Sequence, residues 1–335
     1  MQTLPQENIM MRPTTKDLAK AAGVSRATVD RVLNGREGVK QKTVDRVNLA
    51  IKELGFVRNL QAANLAKSQN YRFIFALPSS GDQFLEQIVS HIQEAETIFS
   101  TDRIHCDVQH IDENDPYSIA SFLTSLEKSD VSGVAIMSPE TPQVRDAITR
   151  LQERGIAVLP FISNQTMMDE TWVGIDNCAA GATASLLLGQ FIGQRDGAVL
   201  VIAESMQSRD SLERRLGFDD IMNRSFPNLH ALPSLETYGN AERANKIIAT
   251  ALQNNPDIVG IYVMASEARG PLSVVQELEI DQRIVKIAHE RTPYTENALR
   301  AQSLDAVVAQ NPGHLVRSAI RRLKGIVDDR STLGS

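Results

Sequence analysis

The sequence predicts a small all-α head followed by an α/β body with parallel sheets, and three observations predict it. First, two short helical patterns flank a glycine between Thr14 and Asn34. Second, from Tyr71 onward short apolar runs alternate with amphipathic stretches, as strands joined by crossover helices do. Third, charge divides where the pattern changes. Residues 1–70 carry twelve Lys and Arg against six Asp and Glu, a balance of +6; the 335-residue chain is −6 overall, which leaves −12 for the remainder. A basic head on an acidic body suits a head that meets nucleic acid and a body that avoids it. At 42% hydrophobic the chain has ample material for more than one core.

In the head, Thr14 and Thr15 supply N-cap hydroxyls, and Asp17 lies in the first turn, where the helix dipole favours an anion. Leu18, Ala19 and Ala22 recur at helical spacing, and Gly23 ends the helix at a position suited to positive φ. Ser25 caps a second helix with Val29, Val32 and Leu33 on its apolar face. Two helices around such a turn have the form of a helix-turn-helix, whose second helix enters the DNA major groove. An Ala-rich helical pair also occurs in many helical proteins, so periodicity alone leaves both readings open. Gln41–Leu54, with Val44, Val47, Ile51 and Leu54 at helical spacing, gives a third helix ended by Gly55; Lys40 and Gln41 make a weak N-cap for it.

In the body, strands are expected at Phe73–Leu77, Ile104–Ile111, Gly133–Met137, Ala157–Ile162, Gly197–Ala203, Ile258–Met264, Ile284–Ala288 and Ala306–Ala309. Helices are expected at Phe84–Phe99, Tyr117–Ser129, Pro142–Arg154, Cys178–Phe191, Ser211–Arg224, Ala241–Asn254 and Pro271–Leu278. So many alternating units suggest two similar lobes. Ligands of such folds sit outside the carboxyl ends of the strands.

Several classes of function lack their signatures. Cys106 and Cys178 are the only cysteines, and their spacing suggests neither a disulfide framework nor a zinc site. His105, Cys106 and His110 cluster on an expected strand, whose period of two divides them between faces. No G-x-G-x-x-G, Walker A, G-x-S-x-G or H-E-x-x-H motif occurs, so an enzyme on the same fold is the rival without a motif. The N-terminal MQTLPQENIMM has no secretory pattern and reads as a disordered tail over residues 1–11. No stretch reaches membrane-spanning length. The expectation is a cytoplasmic protein, with no cofactor and no metal.

The string KDLAKAAGVSRATVDRVLNG, Lys16–Gly35, resembles the DNA-binding head of the LacI/GalR family of bacterial repressors. VGIDNCAAGATASLLL (Val173–Leu188), ERRLGF (Glu213–Phe218) and DAVVAQNPG (Asp305–Gly313) resemble the sugar-binding core those repressors share with periplasmic sugar-binding proteins. The resemblance implies a helix-turn-helix domain at 12–58, a hinge at 59–70 and a ligand-binding and dimerisation core at 71–335. Within the core it implies an N-lobe of about 71–173 plus 312–330 and a C-lobe of about 174–310. Relatives of this kind continue with another strand beyond the position of Ser335. The implied partners are a palindromic double-stranded operator, a second copy of the chain and a small effector, namely a sugar, polyol or sugar acid. A transport binding protein is the other rival; the basic head argues against it.

The expected DNA-contacting residues are Thr14, Thr15, Ser25, Arg26, Ala27, Thr28, Arg31, Asn34, Asn59 and Leu65. Arg26, at the start of the second helix, suits two hydrogen bonds to guanine, while Ser25 and Thr28 suit phosphate. Asp30 stands where the family usually has Ser. Leu65 aligns with the apolar wedge that the family inserts into the minor groove, and Arg58 replaces the usual Pro before Asn59. The expected ligand contacts are Gln83, Phe84, Asn164, Arg209, Arg214, Ser266, Glu290 and Gln310. Arg214 matches the family arginine that reaches ligand hydroxyls, Phe84 the ring that stacks on a sugar face, and Glu290 stands where relatives carry an Asp. Ala265 and Ser266 replace the usual Asn and Asp, which argues against a ribose-like pocket. Trp172 suits either the cleft or buried packing.

Overall fold

The computed structural model describes residues 13–33, 38–56, 70–79, 81–166, 171–278 and 283–333. The expectations for the tail, for Asn34, Asn59 and Leu65, and for nearly all of the hinge lie outside those residues. The chain divides into two compact units, one of residues 1–70 with 325–335 and one of residues 71–324.

The head holds helices α1 (Thr15–Ala22), α2 (Arg26–Leu33) and α3 (Gln41–Leu54). Thr14 alone caps α1. Its hydroxyl accepts from Asp17 N while the Asp17 carboxylate accepts from Thr14 N at 2.9 Å, a reciprocal capping box. Thr15 is already helical, which corrects its assignment as a cap. Gly23 ends α1 at φ 62, the left-handed region that a glycine enters without steric cost. Leu18, Ala19, Ala22, Val29, Val47 and Ala50 close a small core between the three helices. Lys40 gives α3 no side-chain cap, as its chemistry predicts.

The body begins with β1 (Tyr71–Pro78), α4 (Gln83–Ile98), β2 (Ile104–Ile111), α5 (Pro116–Ser125), β3 (Gly133–Ile136), α6 (Pro142–Glu153) and β4 (Ala157–Pro160). These four strands form a parallel sheet in the order β2-β1-β3-β4. The chain then crosses to α7 (Asn177–Ile192), β5 (Gly197–Ala203), α8 (Arg209–Ser225), β6 (Leu229–Ala231), β7 (Leu235–Glu236), α9 (Ala241–Asn254) and β8 (Ile258–Val263). After it come α10 (Arg269–Glu277), β9 (Val285–His289), α11 (Pro293–Arg300), β10 (Ala306–Val308) and α12 (Pro312–Leu333). The second sheet runs β10-β9-β8-β5-β6, also parallel, with β7 extending the edge beside β5. Strands such as β5 and β8 are buried along their whole length, as parallel strands covered on both faces must be. β6, β7 and α11 escape the periodicity reading. Pro233 interrupts the β6–β7 edge, and α11 buries only Thr295 and Ala298.

The α12 helix packs on the first lobe, where Lys324 Nζ lies 4.9 Å from the Tyr71 ring and Arg321 faces Phe99. In the second lobe α7 and α8 touch backbone to backbone. A Cβ at Gly181 would lie 1.9 Å from Arg214 O, and one at Gly217 would lie 1.9 Å from Cys178 O. Only glycine permits that approach. No helix among the described residues is long and apolar enough to cross a membrane.

Candidate ligand cleft and DNA-reading surface

The carboxyl ends of both sheets face a common cleft. The α7–α8 contact carries its buried arginine. Arg214 on α8 is 3% exposed and donates Nε to Asn177 Oδ1 at 2.9 Å, Nη1 to Met264 O at 2.7 Å and Nη2 to Glu290 Oε1 at 3.5 Å. Asn177 opens α7 and Met264 follows β8, so three elements orient one guanidinium. Three of its five N–H donors are thus engaged by protein.

Glu290 follows β9 with φ 64, an uncommon conformation for a residue bearing a Cβ and one that clusters at functional sites. Its amide donates to Val308 O and its carbonyl accepts from Thr295 Oγ1, which holds the turn. Its carboxylate accepts from Gln310 Nε2 at 2.9 Å and from Gln310 N at 3.3 Å. Burial raises its pKa more than Arg214 and Gln310 lower it. Beneath it His289 is bonded to Tyr262 Oη at 2.7 Å, and burial holds this imidazole well below its usual pKa, hence neutral.

Arg214, Glu290 and Gln310 line a cavity of about 80 Å³ together with Phe84 and Ser266, which has room for several water molecules. Gln83, Asn164 and Arg209 do not line it; two of them join the lobes. Gln83 takes Tyr294 N on its Oε1 at 3.2 Å and gives its own amide to Glu267. Arg209 pairs with Glu213 at 2.7 Å and reaches Thr166 Oγ1 at 3.1 Å. Asn164 turns its Oδ1 to the Gln165 amide. Ser266 Oγ donates a hydrogen bond to the Asp82 carboxylate across the cleft. Trp172 is half-buried, packed against Gly174 rather than on the cavity wall.

A second group of residues lining the cavity is acidic, and the sequence reading missed most of it. Glu113 follows β2, Glu204 follows β5 and Asp210 lies in the first turn of α8. All three obey the strand-end rule, the signal that could have found them. Burial, reinforced by Glu113, Asp82, Asp210 and Glu267, pushes the Glu204 carboxyl up to about 7. Burial likewise raises Glu113, with Asp210, Asp112 and Asp82 adding to the effect. Among the described residues no group of three or more His, Cys, Asp or Glu is placed to hold a metal ion.

In the head, Ser25, Arg26, Ala27 and Arg31 are exposed on the start and flank of α2. Ser25 Oγ accepts from Thr28 N at 3.1 Å and lies 2.9 Å from Thr28 Oγ1. Capping therefore engages both hydroxyls while the Arg26 side chain stands clear at the helix N-terminus. Thr14 is likewise exposed but engaged with Asp17, and Thr15 is half-buried.

A profile for the lacI family of bacterial regulatory proteins matches residues 14–59, and one for the periplasmic binding protein domain matches residues 73–331. The chain belongs to the lacI family of bacterial regulators. It is 27% identical over 226 residues to the HTH-type transcriptional regulator RegA of Clostridium saccharobutylicum, covering 64% of this chain and 62% of that one. It is 22% identical over 278 residues to catabolite control protein A of Staphylococcus aureus, covering 81% and 82%. The body has the fold of GanP, a glucose-galactose binding protein from Geobacillus stearothermophilus, with TM-score 0.68, 19% identity and coverage of 77% of this chain and 91% of that one. A periplasmic solute binding protein from Actinobacillus succinogenes with bound D-allose matches with TM-score 0.68, 16% identity and coverage of 77% and 92%. As in other lacI-family regulators, a DNA-reading head is thus joined to a two-lobed α/β body.

Proposed function

We propose that this lacI-family regulator is a cytoplasmic repressor of carbohydrate or polyol catabolism, without enzymatic activity, whose hold on its operator is set by a small hydroxylated effector in the cleft. The carrying observation is the pairing of a helix-turn-helix that exposes Arg26 with a body cavity containing a three-way-anchored arginine, Arg214. We further propose that residues 12–58 read DNA, that 59–70 form the hinge and that Leu65 acts as its wedge. The protein then works as a homodimer on a palindromic site, because two heads on a two-fold axis read two half-sites. Arg26 reads a guanine, Arg31 lies along the groove or on phosphate, and Ser25 and Thr28 stand near phosphate at the N-terminus of α2.

A hinge too short to be helical unaided forms only when its dimer partner and DNA hold it. Lobe closure changes the spacing of the paired hinges and thereby shifts the equilibrium. Effector control is bounded by the ligand's differential affinity for the two states, typically about 1–3 kcal/mol. Selection of random duplexes with the full chain tests the reading: one palindromic sequence should bind about 10³-fold or more above bulk DNA. Equal affinity for all duplexes at physiological salt refutes it.

A further inference from the structure

Two groups of charged residues on the cavity wall differ in electrostatic balance. In one, Arg214 and Glu290 compensate each other. The side-chain carboxylates of Glu113 and Glu204, by contrast, have no ion-pair or hydrogen-bond partner among the described residues, and the charges that act on them most strongly are further carboxylates. Asp210 completes this group. Of the described residues lining the cavity, four are acidic and Arg214 is the sole basic one, a formal charge of −3. Glu113 comes from the first lobe, and Glu204 and Asp210 from the second. Their mutual repulsion therefore acts across the cleft and opposes closure.

A second observation points to a hydrogen-bond donor. Gln310 is 8% exposed, lines the cavity and leaves its Oε1 without a partner. Its amide orientation is fixed, because Nε2 donates to Glu290 and a flip would set two acceptors together. A buried acceptor left this way awaits a donor. Among the described residues the carboxylates are not placed to hold a metal ion.

We propose that the effector is a small hydroxylated molecule bearing a protonated amine, its ammonium set among Glu113, Glu204 and Asp210 and its other end donating to Gln310. This rests on the cleft being the effector site. A cation there replaces cross-lobe repulsion with attraction, so the positive charge is what closes the lobes. A sugar acid, by contrast, brings a carboxylate to a wall of carboxylates and is repelled.

Calorimetric titration of the full chain with three matched series tests this. The amines are D-glucosamine, D-galactosamine, D-mannosamine and 1-amino-1-deoxy-D-sorbitol; the others are their neutral hydroxyl parents and the corresponding aldonates. At least one amine should bind about tenfold or more tighter than its parent, with no aldonate bound. Glu204→Gln and Glu113→Gln should each weaken that amine about tenfold while leaving any binding of the parent within about twofold. Neutral parents binding as tightly as the amines, or aldonates binding at all, overturn the charge assignment and leave the cleft as effector site. No binding across the panel at roughly 10 mM overturns it too. A normal operator affinity in the same preparation separates that result from failure of the regulator reading.

Discussion

Replacing Glu204 by glutamine should make this protein more stable, and increasingly so as pH rises. The folded state raises the Glu204 carboxyl from its ordinary 4.5 to about 7 through burial and through Glu113, Asp82, Asp210 and Glu267. A carboxyl whose pKa is raised on folding binds its proton more tightly in the folded state. Below pH 4.5 both states are protonated and the group is neutral in its effect. Between 4.5 and about 7 stability falls as pH rises, and above 7 the full penalty of ionisation in the fold remains. At 1.36 kcal/mol per pH unit, that interval corresponds to about 3 kcal/mol. For a body of this size each kcal/mol moves the melting temperature by about 2–4 °C, so the penalty is about 6–12 °C. Glu204→Gln keeps the side-chain shape and removes the charge. Thermal melts of both proteins at low and constant ionic strength should superimpose in slope near pH 4.5 and diverge in the variant's favour up to pH 8. Curves that stay parallel over that range refute the account of the acidic group, as does a variant less stable than the parent at pH 8.

Three further outcomes follow from other parts of the molecule. Arg26→Ala should cost about 1–3 kcal/mol on the operator and relax preference at one base pair per half-site; fluorescence anisotropy on base-substituted duplexes measures both, and an unchanged preference removes Arg26 as a reader. Arg214→Ala leaves Glu290 buried without its counter-ion and should lower stability by about 3 kcal/mol or more. If effector acts as inducer, the folded fraction should keep operator affinity without ligand and lose the ligand response; loss of operator binding under all conditions signals corepression, and a full ligand response puts the effector elsewhere. Gly217→Ala forces a Cβ onto Cys178 O and should destabilise the second lobe by about 3 kcal/mol or more, read by urea denaturation; a neutral result contradicts the backbone contact.

Where one local signal governed the outcome, the sequence was legible. The unbroken apolar run Gly197–Ala203 is β5 as expected, because burial on both faces leaves no other pattern. Gly23 and Gly55 end their helices at positive φ, as their lack of a Cβ allows. The choice of Thr14 over Thr15 as cap is local too, set by the Thr-x-x-Asp spacing that closes the capping box. Legibility failed where tertiary context decides. β6 and β7 are edge pieces interrupted by a proline, and they form because β5 offers them a partner. In the cleft, Arg214, Glu290 and Gln310 come together from three distant segments. Gln83 and Arg209, alike in sequence as polar residues after strands, instead join the two lobes. Glu113 and Glu204 read individually as loop carboxylates. Their meaning lies in their mutual proximity, which no local window contains.

The backbone contact between α7 and α8 limits how the cleft can diverge. Helices separated by side chains can slide when those side chains change, but a carbonyl resting on a glycine has no such freedom. Enlarging residue 181 or 217 would displace the whole helix pair and the arginine seat with it. Glu113 and Glu204 stand on loops, where one side chain can be exchanged for another without repacking a helix. A lineage with this body would therefore acquire new effectors by rewriting the charge of its loops around an arginine that stays in place.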